Sequence, residues 1–556
     1  SKISLDMKGI TQWKLASTPQ DNLFPEGKSD SLDYSYNRAK LAWYIVDPIF
    51  YRMSTATPSH IRADKEQRSN HFVREIRQTE LFPDKDLAVG DVNIIPALSV
   101  AYYPTEKGPY NFTTDVDRDG KLRNPEKRWG GMMRSITTSD FETANVQYIE
   151  IWLMDPFVYD NRHKGGDVYF DLGNVSEDIL KDGRKAFENG LPAGPDIRHV
   201  DTTRWGRVPG VQSITNGFDN NSQARRYQDV GLDGMNDEDE RIFYAAYLET
   251  LRRTFGENSK VYREAWNDPA GDNYHFFRGS DYDALETPVL ERYKQYNGTE
   301  GNSPTADMSP ESYPTAATTL PDVEDINGDN TLNETEAFFR YHLELRPEKM
   351  KVGENFITNI TTSSVELPNG STEEIKWYQI KIPLSAHESD YGGISDFKSI
   401  RFMRMLMRGF QDSIVLRMAG LDLVRDNWRK YEGALDGQLT SSARTVFDIS
   451  VVNLEENASR TPVNYVMPPE IERVVDASNP QLRELNEQAL ALKVIDLPEN
   501  DSRAVYKMFG KDLLRYKTLK MDVHAEAVEG YPLQDDELTL FLRLGNDNAN
   551  NYYEYE

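Results

Sequence analysis

The sequence contains no cysteine among its 556 residues, which excludes disulfide bonds, thiol catalysis and cysteine-bound metal clusters. It also lacks any run of 18 apolar residues, so no membrane-spanning helix is expected. Histidines are few, only eight, and are scattered singly. No P-loop, G-x-S-x-G, H-E-x-x-H or glycine-rich dinucleotide turn is present. These absences argue against an enzyme.

Positive charge is the other scarcity. The chain has 64 lysines and arginines against 91 aspartates and glutamates, a net charge of −27. Nucleic acid is therefore not expected as a partner, because phosphate binding needs a basic face. So many carboxylates leave one enzymatic alternative open, which is a carboxylate pair for glycoside hydrolysis.

Three acidic stretches have the spacing of calcium-binding loops. The first, residues 115–126, fits the pattern D-x-[DN]-x-[DN]-G-x5-E without a mismatch. A hard divalent cation prefers six to eight oxygen ligands, and Gly120 at the sixth place permits the tight turn. The ligands predicted here are Asp115, Asp117, Asp119, Lys121 and Glu126.

The other two stretches match the pattern less well. In residues 325–336 Asn330 replaces the glycine, and asparagine tolerates the left-handed backbone. Residues 229–240 lack an oxygen at the third place, which Asp237 at the ninth could supply. The predicted ligands are Asp325, Asn327, Asp329, Thr331, Glu336, and Asp229, Asp233, Met235, Asp237, Glu240. We expect structural calcium, with Asp117→Ala costing more stability than Asp237→Ala because the first loop has a full set of oxygens.

The apolar pattern predicts a mainly β fold of jelly-roll-like β-sandwich domains, with a loop-rich calcium-binding insertion and few short helices. Residues 147–154, 167–172, 339–345 and 375–382 alternate as strands do. One helix is expected from about Asp237 to Thr254. The predicted organisation is a mixed N-terminal region (1–100), an interrupted sandwich (101–190 and 341–440), the insertion (191–340) and an incomplete second sandwich (441–556).

The second sandwich is predicted from a weak internal repeat. Residues 519–524 and 538–544 read as a strand pair like residues 148–153 and 167–172, with a glycine ending each unit. The aromatic alternation of residues 551–556 indicates a further strand.

Several longer sequence segments resemble the SprA/Sov family, the outer-membrane translocon of the type IX secretion system of Bacteroidetes. They are residues 101–112 (AYYPTEKGPYNF), 128–134 (RWGGMMR), 148–157 (YIEIWLMDPF), 171–183 (DLGNVSEDILKDG), 273–280 (NYHFFRGS) and 296–303 (YNGTEGNS). The resemblance extends over most of residues 34–431.

The resemblance implies a large single-chain β-barrel in the cell outer membrane that exports folded cargo and supports gliding motility. This chain would be a soluble, non-catalytic portion of it, exposed outside or to the pore and periplasm. Implied partners are the remainder of the translocon barrel, a lateral outer-membrane protein, periplasmic plug proteins and secreted cargo. An alternative from the residues alone is a calcium-stabilised carbohydrate-binding module that uses exposed Trp205, Trp266 or Trp377.

Overall fold

The computed structural model describes residues 3–83, 85, 87, 92–211, 216–219, 221–296, 320–431, 433, 435, 445–458, 463–474, 484–508, 516–527, 532–547 and 550–555. Of the segments that resemble the SprA/Sov family, residues 297–303 lie outside the described residues. The chain divides into two compact units. The larger contains Ser4–Glu80 and Ile94–Val424, and the smaller contains Ser1–Ile3, Leu81–Asn93 and Arg425–Glu556.

The described strands are β1 (Ile3–Asp6), β2 (Lys14–Leu15), β3 (Ala39–Tyr44), β4 (Leu98–Lys107), β5 (Trp129–Ser135), β6 (Val146–Met154), β7 (Gly166–Asn174), β8 (Val200–Thr202), β9 (Arg207–Pro209), β10 (Ala337–Leu345), β11 (Ile357–Glu366), β12 (Thr372–Pro383), β13 (Ser389–Tyr391), β14 (Phe402–Arg408), β15 (Ile414–Arg425), β16 (Arg429–Tyr431), β17 (Val446–Asn453), β18 (Gln488–Ile495), β19 (Ala504–Tyr506), β20 (Leu542–Gly545) and β21 (Tyr552–Tyr555).

The described α-helices are short: α1 (Ser59–Ala63), α2 (Lys65–Ser69), α3 (Gln78–Leu81), α4 (Phe141–Ala144), α5 (Ser222–Gln228), α6 (Asp237–Phe243), α7 (Ala245–Phe255), α8 (Lys260–Asn267), α9 (Ser280–Ala284), α10 (Val289–Arg292) and α11 (Leu454–Asn457). The helix expected from Asp237 is confirmed as the consecutive helices α6 and α7. Of these described helices, none has the length and apolar character needed to cross a lipid bilayer.

Two antiparallel sheets build the larger unit, which confirms the mainly β, sandwich-like fold. One sheet has the order β11-β12-β6-β15-β4-β3, with β1 pairing with β15. The other has the order β13-β10-β7-β14-β5-β2. In each sheet, strands that precede the insertion lie beside strands that follow it, so the sequence interruption does not interrupt the sandwich. The N-terminal region 1–100 supplies β1, β2, β3 and the first three residues of β4 to these sheets.

Alternation of side chains decides which residues enter the core between the sheets. Met403, Met405 and Met407 of β14 point inward and join the largest apolar cluster, together with side chains of β6, β7 and β15. Successive residues of a strand face opposite sides, so Phe402 and Leu406 enter a second apolar cluster on the other face. Both faces of this sheet are therefore covered.

A row of charged residues is buried on the second face. Arg340 of β10, Asp171 of β7 and Arg404 of β14 stand opposite one another in register. Asp171 accepts hydrogen bonds from Arg340 (2.7 and 2.9 Å) and from Arg404 (2.9 Å). Glu336 binds the other end of Arg404 at 2.8 and 2.9 Å, and Asp21 binds Arg340 at 2.5 Å. The opposing charges pair across three strands, which compensates their burial.

The described part of the smaller unit contains three two-stranded pairs: β16 with β19, β17 with β18, and β20 with β21. The strand expected at the C-terminal aromatic alternation is confirmed as β21. The strand predicted at residues 519–524 is wrong, because these residues form no ladder and the side chains of Leu519 and Val523 are exposed. Alternation indicates strand propensity but provides no partner strand, and a strand needs one. The second sandwich itself stays a prediction.

Candidate metal centre

Two glycines shape the second acidic loop, between α5 and α6. Both have left-handed backbone, with φ of +85° at Gly231 and +66° at Gly234. A Cβ at Gly231 would lie 2.0 Å from an oxygen of Asp272, and one at Gly234 would lie 2.2 Å from the carbonyl oxygen of Arg207. Only glycine therefore allows the loop to approach these neighbours. The loop ends at Asn236, whose side chain caps α6.

Carboxylates from two distant segments meet beside this loop. Oxygens of Asp233, Glu240 and Asp272 all lie within 4.8 Å of one another. Oxygens of Asp237, Glu240 and Asp268 do the same. Among the described residues, these are the two places where three or more acidic or histidine side chains converge in this way. We name these five residues the carboxylate cluster.

The remaining residues predicted from the second loop lie beside the cluster. Asp229 pairs with Arg225, at 2.9 Å between carboxylate and guanidinium, and belongs to neither group of three. The Met235 side chain is buried in the second apolar cluster, and its backbone N–H donates to Asp233 at 3.0 Å. The structure therefore brings together Asp233, Asp237 and Glu240 of the predicted set.

Sequence reasoning missed Asp268 and Asp272, which follow α8 in a tight turn. The Asp268 carboxylate accepts the backbone N–H groups of Gly271 (2.8 Å) and Asp272 (3.1 Å). Ala270, within this turn, donates its N–H to Glu240 at 2.9 Å. The turn is thus tied to α6 as well as to itself.

Tyr110 connects the cluster to the sandwich. It follows β4 and has a φ of +59°, which is uncommon for an aromatic residue. Its backbone N–H donates to the carbonyl of Ala270 at 2.6 Å, and its hydroxyl accepts the N–H of Leu232 at 2.8 Å. Both acidic segments are therefore attached to one residue at the end of a sheet strand.

Burial and mutual repulsion disfavour the ionised cluster. Burial, and next the charge of Asp272, raise the pKa of Asp233 well above its usual value. Burial and the charge of Glu240 do the same to the pKa of Asp272, although the Tyr110 hydroxyl opposes part of the rise. Burial raises the pKa of Asp268 to about 6, although Lys40 opposes this. Without a cation, the folded cluster holds protons that the unfolded chain would release.

This proton binding gives a stability prediction for metal-free buffer. Because the folded pKa values lie above the unfolded ones, the folded state binds protons more tightly. The stabilisation is complete below about pH 4 and is lost as pH rises through the folded pKa values, which are raised for Asp233 and its neighbours and lie at about 6 for Asp268. We expect the melting temperature, measured by circular dichroism, to fall as the pH rises from about 4.5 to about 7, because the unfolded carboxyl pKa values lie at or below the start of this range and the folded ones are raised.

A double variant provides the control for this titration. Glu240→Gln with Asp272→Asn removes two of the raised carboxylates, so its melting temperature should fall less over the same pH window. Saturating calcium should also flatten the wild-type curve, because metal ligands bind deprotonated. A wild-type melting temperature that rises from about pH 5 to about pH 7 without metal would contradict this account.

The first loop is a self-contained turn, and the structure does not bring its predicted ligands together. Asp117 accepts the backbone N–H groups of Asp119 (2.9 Å) and Lys121 (2.8 Å). Its own N–H donates to the Lys121 carbonyl at 2.9 Å. Asp115 pairs with Arg128 at 3.3 Å, and Glu126 is exposed. Gly120 adopts the expected positive φ of +83°.

The third loop also directs its side chains to its own backbone. Asp325 accepts the N–H groups of Asp329 and Asn330, at 3.0 and 2.7 Å. Asn327 also accepts from Asp329, and Asp329 accepts from both N–H and hydroxyl of Thr331. The predicted closing ligand, Glu336, is bound to Arg404 instead. The left-handed backbone expected at Asn330 is confirmed by its φ of +68°.

Three buried glutamates hold the insertion through backbone amides, and sequence reasoning missed all three. Glu177 accepts N–H groups of residues 326, 327 and 333. Glu188 accepts those of 230, 231 and 322. Glu324 accepts those of 179, 180 and 186. Each carboxylate thus joins segments far apart in the chain.

Comparison with known proteins identifies the family. No curated protein sequence matches significantly. A family model described as "Motility related/secretion protein", SprA_N, matches residues 246–556, which is more than half of the chain. The match includes α8, the turn with Asp268 and Asp272, and the later strands of both sheets. The chain therefore belongs to the SprA_N family of motility-related and secretion proteins.

Proposed function

We propose that this chain is a non-catalytic part of the outer-membrane translocon of the type IX secretion system. It contributes to protein export to the cell surface and to gliding motility. The observation that carries the proposal is the match of more than half the chain to a motility and secretion family. The segments 101–112 and 128–134, which resemble the SprA/Sov family, support the proposal from outside the matched region.

In this proposal, calcium holds the insertion on the sandwich. The carboxylate cluster joins the second acidic loop to the turn after α8, and Tyr110 attaches both to β4. Oxygen-only side chains without histidine suit a hard cation such as calcium. A rigid attachment would let the insertion present a fixed surface to partners, which are the membrane-embedded remainder of the translocon, its lateral and plug proteins, and passing cargo.

The burial of two candidate tryptophans argues against the carbohydrate-binding alternative. Trp377 is fully buried, and its indole N–H donates to Glu80 at 2.9 Å. Trp205 is 1% exposed and contacts other aromatic rings. Only Trp266 of the three candidates is open to solvent, with Arg241 over its ring. Sugar binding by stacking needs exposed aromatic faces, and two of the three proposed here are unavailable.

Secretion assays test the proposed function. Deleting the gene that encodes this chain should leave type IX cargo in the periplasm, because the translocon would be missing. Replacing it with an Asp272→Asn, Glu240→Gln variant should reduce cargo in the medium at least several-fold, since even a destabilisation of about 1–2 kcal/mol changes protein abundance by that much. Immunoblots of medium and periplasm measure both effects.

The matched control is Asp115→Asn with Asp119→Asn, two carboxylates of the first loop outside the cluster. This variant should secrete cargo normally. Unchanged secretion in the deletion strain would contradict a role in export altogether. Normal secretion by the cluster variant alone would contradict only the role of the cluster.

A further inference from the structure

Glu240 belongs to both groups of converging carboxylates. With Asp233 and Asp272 it forms a group in which all three side chains are buried. With Asp237 and Asp268 it forms a second group, whose other two members are partly exposed. The two groups therefore share one carboxylate and differ in their access to water.

Three of the six carboxylate oxygens in the buried group of Asp233, Glu240 and Asp272 have no hydrogen-bond partner. Glu240 is 0% exposed, and one of its oxygens accepts no hydrogen bond, while the other accepts from Ala270. Asp272 is 1% exposed, and neither of its carboxylate oxygens has a partner of hydrogen-bond geometry. Leaving a buried polar group unpaired costs about 1–3 kcal/mol, and more for a charge. Such oxygens point to a ligand.

The three buried glutamates that hold the same insertion show the contrast. Glu177, Glu188 and Glu324 each accept three backbone N–H groups, as described above. The fold thus provides amide donors for buried carboxylates elsewhere. At the cluster it instead turns carboxylates toward one another, an arrangement that is repulsive when they are ionised and that a cation between them relieves.

We propose that the carboxylate cluster binds two calcium ions, with Glu240 as the bridging ligand. Asp233 and Asp272 complete the inner site, and Asp237 and Asp268 complete the outer one. This two-ion site rests on the proposed function, in which calcium holds the insertion on the sandwich. Two divalent ions carry four positive charges against the five carboxylates. The buried inner site suits calcium better than magnesium, which gives up its water reluctantly.

Calcium stoichiometry tests the shared ligand. Native mass spectrometry and equilibrium dialysis of the 556-residue chain would count bound Ca²⁺ in the wild type and in single isosteric variants. Asp272→Asn and Asp268→Asn should each lower the count by one, whereas Glu240→Gln should lower it by two. Differences between variants are independent of any ion bound at the first or third loop.

Glu324→Gln is the matched control, because it alters a buried carboxylate outside the cluster and should leave the count unchanged. Circular dichroism verifies that each variant is folded. The wild-type count needs no variant, so a count below two overturns the proposal even where a variant fails to fold. A loss of one ion in Glu240→Gln, or of two in Asp272→Asn, overturns the bridge. The secretion result of the gene deletion is unaffected by these outcomes.

Discussion

Millimolar calcium is expected to stabilise the metal-free chain by about 4 kcal/mol for each ion bound, the largest effect that the structure predicts. Mass action gives this value when a ligand that binds only the folded state is present at about a thousand times its dissociation constant. Loop sites of carboxylates commonly bind calcium in the micromolar range. The cluster has no counterpart in the unfolded chain, because its two segments lie about thirty residues apart in sequence.

Thermal unfolding measures this stabilisation. For the larger unit, with about 400 residues, about 4 kcal/mol for each ion corresponds to a rise in Tm of about 5 °C per ion. Excess chelator should reverse the rise, and magnesium at the same concentration should produce a smaller one. Equal melting temperatures in calcium and in chelator would contradict a structural metal anywhere in the chain.

Asp171→Asn is the second change with a large expected effect. Asp171 is fully buried and binds both Arg340 and Arg404, so the neutral amide leaves two buried guanidinium groups short of one negative charge. Breaking a buried ion pair by removing one partner costs about 3–5 kcal/mol. Urea unfolding followed by tryptophan fluorescence should show a lower midpoint for this variant.

Glu249→Gln is the control for this comparison. Glu249 forms ion pairs with Arg252 and Arg253 on the surface of α7. Exposed pairs of this kind contribute little, so its midpoint should stay near that of the wild type. If Asp171→Asn unfolds at the wild-type midpoint, the charged row does not stabilise the sandwich.

The strands that face the core could be predicted from the sequence because their signal is local. β6, β7, β10 and β12 all contain the alternating stretches from which they were predicted. Residues 519–524 alternate equally well without forming a strand. The difference lies in the partner: β7 has a neighbour on each side, and pairing between distant segments leaves no trace in the spacing of a single strand.

The carboxylate cluster was only half predictable for a related reason. Loop spacing identified Asp233, Asp237 and Glu240, but not Asp268 and Asp272, which come from the turn after α8. The segment Asp268-Pro-Ala-Gly-Asp272 carried a turn signal with two carboxylates, and this was the available clue. The first loop matched the calcium pattern best, yet Asp117 binds its own backbone, a use that spacing alone cannot distinguish from metal binding.

The calcium-dependent shift in Tm of two variants tests the central claim most directly. The sequence pattern predicts that Asp117 in the first loop is the stronger calcium ligand. In the structure, however, the converging carboxylates include three from the second loop and none from the first. Glu240→Gln should therefore abolish most of the calcium-dependent rise in Tm, while Asp117→Asn should keep it. A rise retained in Glu240→Gln and lost in Asp117→Asn would contradict the account.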